Sequence, residues 1–388
     1  MIPRYESKNR ILCLQKKLKE RGIDGALFVY PIDVYYFCGS RQNACLWVPV
    51  DGNPSLFVRK SLLRAKEESI IEDVRPFPYG SEFLSSLVAS PKKIGMTFDV
   101  MPVQHYQYYS NIFPAVDIVD ISDINRKLRS VKSEWELQQL SESGRRLCEM
   151  FSSVPSFLKL GMKERDLAAE IEFRLRSKLS EGNLRMRAFN QEITGLAVTG
   201  KSAAAPGCFD GPVSGAGLSS SSPFGPSNNL TEKDIPILID YPGIFSGYIV
   251  DMTRIFVFGD LDHEMKMAFD VSLEIQAWLV NNTRPGTICE DLYAGAVRIA
   301  ESAGIGDKFM GYDGEQSKFV GHGVGLELDE LPVLARRFKY AIEVGQAIAI
   351  EPKFIFPGKG VVGIENTFVV TATGCEKLTD FPDHIVYL

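Results

Sequence analysis

Histidine is scarce in this chain: there are four in 388 residues, beside three tryptophans. His105, His263 and His384 lie in unrelated contexts, so the imidazoles form no cluster along the chain. The seven cysteines, at 13, 38, 45, 148, 208, 289 and 375, are odd in number, scattered, and include no C-x-x-C pair. That pattern argues against a disulfide framework and a thiolate zinc site, and it suits a reducing cytoplasm. No apolar run approaches the ~18–20 residues of a membrane-spanning helix. The opening MIPRYESKNR has no apolar stretch behind its charges, which sets aside a secretory leader. Positive charge is not in excess either: 43 Lys and Arg face 49 Asp and Glu, a net charge of −6. Nothing in that balance draws the chain to nucleic acid. What remains is ordinary globular composition, 45% hydrophobic and 24% charged, in a length that implies two domains and a full core.

Residues 1–126 alternate in type. A helical pattern over 11–22 stops at Gly22, GALFVY at 25–30 reads as a buried strand, and ACLWVPV and PSLFVRK flank a hairpin signal at Asp51-Gly52. KKIGMTFD and AVDIVDIS suggest further strands, so an α/β domain is expected. Residues 127–388 form the second domain. It opens on a long helical pattern in which Ser133 is a candidate N-cap, followed by a helix over 163–179. A Gly-, Ser- and Pro-rich stretch over 200–229 reads as a long loop, a feature usually functional or disordered. Then come a β pair (IPILIDY and GYIVDMTRIFVFG), amphipathic helices over 262–282 and 289–304, and a strand-rich end containing AIAIEPKFIF and GVVGIENTFVV.

Four carboxylates stand in apolar β patterns: Asp240, Asp251, Glu351 and Glu365. An unpartnered buried carboxylate is costly, and metal coordination is one way to keep it ionised. For any one of them a salt bridge or a strand end serves equally well. Four together, with the glycine-flanked His322 in GHGVGLELDELP, point to a metal centre. The glycines beside His322 are expected to let backbone approach an ion closely.

The ordered motifs LIDYPG, GYIVDMTR, GHGVGLELDELP, IEP and IENTFVV resemble those of the pita-bread metallopeptidases, which include Xaa-Pro dipeptidases, aminopeptidases P and creatinase relatives. The resemblance spans essentially the whole chain. It implies a creatinase-type α/β N-terminal domain followed by an α+β pita-bread catalytic domain. It also implies two divalent ions (manganese, cobalt, iron or zinc) held by Asp240, Asp251, His322, Glu351 and Glu365, with Asp251 and Glu365 bridging. Hard oxygen donors with one imidazole suit such ions, and an ion pair polarises a carbonyl. Glu351 is a catalytic candidate as well, and Gly207 and Tyr248 fall in the substrate-binding neighbourhood. Family habit adds a homodimer.

This sequence departs from the pattern where substrate is handled. Asp329 replaces a second histidine seven residues after His322, Gly207 stands where a further histidine follows A-x-P, and Gly363 replaces an arginine before the last glutamate. Asp329 is either a strand-end acid in a degenerate site or a carboxylate near the ions, acting as general base or holding a cationic group. Arg337 either grips a substrate carboxylate with its fork or belongs to a solvated RRFK run. The 200–229 loop roofs the site, reaches a partner subunit, or is a surface insertion. The expected function is a dinuclear metallohydrolase cleaving a C–N bond in a small carboxylate-bearing substrate such as a dipeptide. The alternatives are a metal-dependent lyase resembling the dimethylsulfoniopropionate-cleaving branch, with Asp329 as base and Arg337 as anchor, and a non-catalytic binding protein.

Overall fold

The apolar runs near the N-terminus form strands buried along their whole length: β1 (Gly25–Phe28), β2 (Ala44–Pro49) and β3 (Ser55–Val58). The computed structural model describes residues 2–80, 82–87, 91–187 and 192–388, in two units, 1–129 and 130–388. In the first unit β2 and β3 are antiparallel, Ala44 opposite Val58, and Gly52 turns the chain at a φ of 103°, which suits glycine. Adding β4 (Asp73–Pro76), β5 (Lys93–Met96) and β6 (Asp117–Asp120) gives a six-stranded sheet in the order β4-β3-β2-β1-β5-β6. The first helix, Arg4–Glu20, starts earlier than its pattern suggests and buries Leu14 and Leu18. Asp33 is fully buried and accepts hydrogen bonds from Thr97 Oγ1 (3.1 Å), Asn125 Nδ2 (2.7 Å) and Arg129 (3.1 Å).

The long helical pattern beyond it forms two helices, Ser122–Ser130 and Glu134–Ser153, rather than one. Ser133 sets the break. Its hydroxyl accepts from the Glu136 N–H (3.2 Å) while the Glu136 carboxylate accepts from the Ser133 N–H (3.1 Å), a reciprocal cap. The strands that follow are β7 (Leu196–Thr199), β8 (Ile237–Phe245), β9 (Tyr248–Val257), β10 (Phe319–Gly323), β11 (Glu330–Ala335), β12 (Ala347–Ile350), β13 (Lys353–Phe356), β14 (Gly360–Gly363), β15 (Asn366–Val370), β16 (Cys375–Lys377) and β17 (Val386–Tyr387). They make a four-stranded sheet β17-β9-β8-β7, a five-stranded sheet β11-β10-β12-β15-β16 and the ribbon β13-β14.

The two strand-like C-terminal runs each pass from one sheet to another. AIAIEPKFIF leaves the five-stranded sheet after Ile350 and enters the ribbon at Lys353. Pro352, between them, has no N–H to offer a ladder. GVVGIENTFVV leaves the ribbon after Gly363 and re-enters the five-stranded sheet at Asn366. Glu351 and Glu365 therefore sit at the two crossings. The helices His263–Asn282 and Cys289–Ser302 pack on each other and on β14 and β11, burying Phe269, Ile275, Leu279 and Leu292 against Phe354 and Val362. The 200–229 stretch holds one short helix, Gly200–Ala203, and is otherwise irregular. Both its ends are pinned by buried Glu164, which accepts from Thr199 N (2.8 Å), Ser202 Oγ (2.8 Å), Ser227 N (2.7 Å) and Ser227 Oγ (2.6 Å). Among the described residues no helix is long and apolar enough to cross a membrane.

Candidate active site

Asp240, Asp251, His322, Glu351 and Glu365 come from separate strands and crossings and line one open cleft. The β8–β9 register sets Asp240 opposite Thr253 and Asp251 opposite Pro242. Thr253 Oγ1 donates to Glu365 Oε2 (2.8 Å), and the backbones of Thr253 and Glu365 bond each other, which ties β9 to the second crossing. Arg254 strengthens that tie: fully buried, it donates to the carbonyls of Thr253 (2.7 Å) and Glu365 (2.8 Å) and to Asn366 Oδ1 (2.8 Å).

His322 lies on β10, opposite Ala349 of β12 and Val333 of β11. Its glycine neighbours let these strands approach closely. A Cβ on Gly321 would meet the Ala349 carbonyl oxygen at 2.6 Å, and one on Gly323 the Leu331 oxygen at 2.3 Å. Three acceptors surround His322 Nδ1: the Leu328 carbonyl (3.0 Å), the Gly323 carbonyl (3.2 Å) and Asp329 Oδ1 (3.2 Å). They hold a proton on Nδ1 and leave Nε2 turned to Glu351, whose Oε1 is 3.6 Å away. Asp329 thus stands behind the imidazole while also lining the mouth of the cleft.

Among the acids stands a residue the sequence reading did not single out. Lys353, the first residue of β13, has a side chain only 1% exposed, and its ammonium donates to Glu351 Oε2 (2.7 Å), Glu365 Oε2 (2.9 Å) and Asp240 Oδ2 (3.1 Å). A charged residue inside the apolar run of EPKFIF was the available signal, of the same kind that marked the acids. Burial opposes the ammonium, but Asp240, Glu351 and Glu365 outweigh it and hold Lys353 well above the usual lysine range. Burial raises Asp251 well above the usual carboxylate range, and Glu365 and Asp240 add to the shift. Burial raises Asp240 too, with Lys353 opposing. Burial pulls His322 down, but Asp329, Glu351 and Glu365 leave it raised.

This donor set fits one divalent ion: ligand atoms of Asp251, His322 and Glu365 all lie within 4.8 Å of one another. It does not fit the pair that the resemblance implies. With Lys353 where it stands, one oxygen each of Asp240, Glu351 and Glu365 is already engaged by a cation, so the oxygens that a second ion would share are taken.

The remaining expected residues fall elsewhere. Arg337 is exposed beyond β11, in the left-handed region (φ 70°), its N–H bonded to Glu290 Oε1 (2.8 Å), and it does not line the cleft. Gly207 is exposed and also outside the lining, although the segment from Phe209 to Val213 just beyond it forms part of the wall. Tyr248 is buried and donates to Glu136 Oε1 (3.0 Å), fastening the β8–β9 hairpin to the helix Glu134–Ser153. Lys353 is the cleft's single lysine or arginine among the described residues, whereas Glu192, Asp210 and Asp329 add negative charge.

Comparison with known proteins agrees with this architecture. The model of metallopeptidase family M24 matches residues 138–372, and that of the creatinase/prolidase N-terminal domain matches residues 10–131. The chain is 26% identical to the uncharacterized peptidase YqhT of Bacillus subtilis, covering 97% of this chain and 99% of that protein. It is 25% identical to an Xaa-Pro dipeptidase of Pyrococcus furiosus, covering 96% and 98%. The crystal structure of the prolidase from Pyrococcus horikoshii superposes with a TM-score of 0.81 at 23% identity, covering 96% of this chain and 99% of that one. The chain belongs to metallopeptidase family M24, with a creatinase-type N-terminal domain followed by a pita-bread catalytic domain.

Proposed function

We propose that this protein is a metal-dependent hydrolase of the Xaa-Pro peptidase type, cleaving a C–N bond in a dipeptide-sized substrate. The observation that carries the proposal is the convergence of Asp240, Asp251, His322, Glu351 and Glu365 on one cleft. A divalent ion held by Asp251, His322 and Glu365 supplies Lewis acidity toward a carbonyl when bound. The chain's own residues do the rest. Asp329 and the Leu328 carbonyl orient His322, so Asp329 acts as partner of the imidazole and not as base. Leu184, Met186, Ile193 and Phe319 supply an apolar wall for a substrate side chain. The acids at the mouth favour the amino end of a peptide over its carboxylate, because Arg337 lies outside the cleft. The lyase alternative needs Asp329 as base and Arg337 as anchor, and neither position supports it.

The test is hydrolysis of Ala-Pro and of Ala-Pro amide by manganese- or cobalt-loaded protein. Both are expected to be cleaved, the amide at least as fast. Refusal of every Xaa-Pro peptide overturns the hydrolase proposal, and a strict need for the free carboxylate overturns the assigned polarity. The seven unpaired cysteines support a cytoplasmic setting, and the homodimer of the resembling family is checked by light scattering.

A further inference from the structure

Lys353 is built into the acid cluster. It faces Gly363 across the ribbon, and a Cβ on Gly363 would meet Lys353 Cα at 2.7 Å, Lys353 Cγ at 2.8 Å and the Pro352 carbonyl oxygen at 2.5 Å. The stem of the lysine thus fills space that any side chain at 363 would claim. An ammonium has three N–H donors, and here they meet carboxylates of Asp240, Glu351 and Glu365. With 1% exposure, the side chain has no solvent to retreat to. A second divalent ion on the same oxygens would have to evict a fully satisfied ammonium or sit against it, like charge on like charge.

We propose that Lys353 stands in for the second metal ion, so that this centre takes one divalent cation, on Asp251, His322 and Glu365, beside a fixed ammonium. This rests on the hydrolase reading above and sharpens it. The ammonium gathers three acids from β8 and the two sheet crossings with no ion present, and of the ligand trio it touches Glu365 through Oε2 and leaves Asp251 and His322 to the ion.

The experiment is an ion count per chain by native mass spectrometry and calorimetric titration with manganese, on the full chain and on Lys353→Met. Wild type is expected to hold one ion and the variant two, with a larger manganese-induced rise in melting temperature in the variant. An equal count in the two proteins overturns the proposal. If that equal count is one or two, the hydrolase reading stands, and if it is zero, that reading falls as well. The variant strips three clustered acids of their ammonium and is therefore purified in manganese. Should it fail to fold even so, the paramagnetic resonance of manganese-loaded wild type decides. The hyperfine pattern of an isolated ion supports the proposal, and that of an exchange-coupled pair overturns it.

Discussion

Buried acid is handled in opposite ways in the two units of this molecule. In the first, Asp33 is one carboxylate surrounded by donors from Thr97, Asn125 and Arg129. In the second, Asp240, Asp251, Glu351 and Glu365 crowd one cleft, and the first and last two of them share the ammonium of Lys353. Asp33 ties its own helix, Pro31–Cys38, to Thr97 just past β5 and to the helix Ser122–Ser130. The four acids are left with negative charge in excess, and that excess is what attracts a cation. Charge balance therefore separates a structural acid from a functional one more sharply than burial does, since both kinds are buried.

The largest expected effect comes from breaking the excess. Asp251→Asn should cut peptide hydrolysis roughly a thousandfold, the equivalent of the several kcal/mol that a Lewis-acidic ion supplies. The same change should raise the melting temperature of chelator-treated protein, because it removes a charge that its surroundings disfavour. The sign has a pH signature. The folded pKa of Asp251 lies well above that of an ordinary aspartate, so its contribution is complete below the ordinary value and is lost as pH rises through the folded one. The melting-temperature gap between Asp251→Asn and wild type should accordingly close toward acid pH and widen on the alkaline side, as read by calorimetry in chelator.

Asp33→Ala is the mirror experiment. It leaves the Arg129 guanidinium buried without this partner, which should cost about 3 kcal/mol in a denaturant titration, with no rescue by manganese. A stabilised Asp33→Ala would erase the distinction between the two regions. Asp329→Asn should do least. The imidazole keeps the Leu328 carbonyl, so ion affinity should fall about 10- to 100-fold with melting temperature nearly unchanged, a split that titration calorimetry and a thermal scan resolve together.

Much of the centre was legible because charge in an apolar strand demands a reason. That logic isolated Asp240, Asp251, Glu351 and Glu365, and the glycine-flanked His322 completed them. The same logic applied to Lys353, but its partners lie 2, 12 and 113 positions away, and one lysine in a strand reads as an edge residue until those separations close. The strand-rich pattern did not mark the crossings, since apolar alternation does not register a change of sheet. The glycines beside His322 were tied to an ion, and the close approach of the Ala349 and Leu331 carbonyls gives them a second reason to be small. Arg337 was a candidate by its fork chemistry and by the arginine that the resembling prolidases carry in this neighbourhood, and the turn that carries it past β11 leaves it outside the cleft lining. Glu164 gave no signal at all, because the donors it collects are spread from Thr199 to Ser227 in a stretch of unpatterned sequence.

The β13–β14 ribbon leaves the acid cluster through Glu351 and returns through Glu365, with its exposed tip at Pro357–Lys359. Both glutamates are thereby anchored at its root, and the tip is free of that duty. Residues grafted into the tip change the loop's length without shifting either carboxylate, which makes it a natural point for attaching a tether or a reporter to the enzyme.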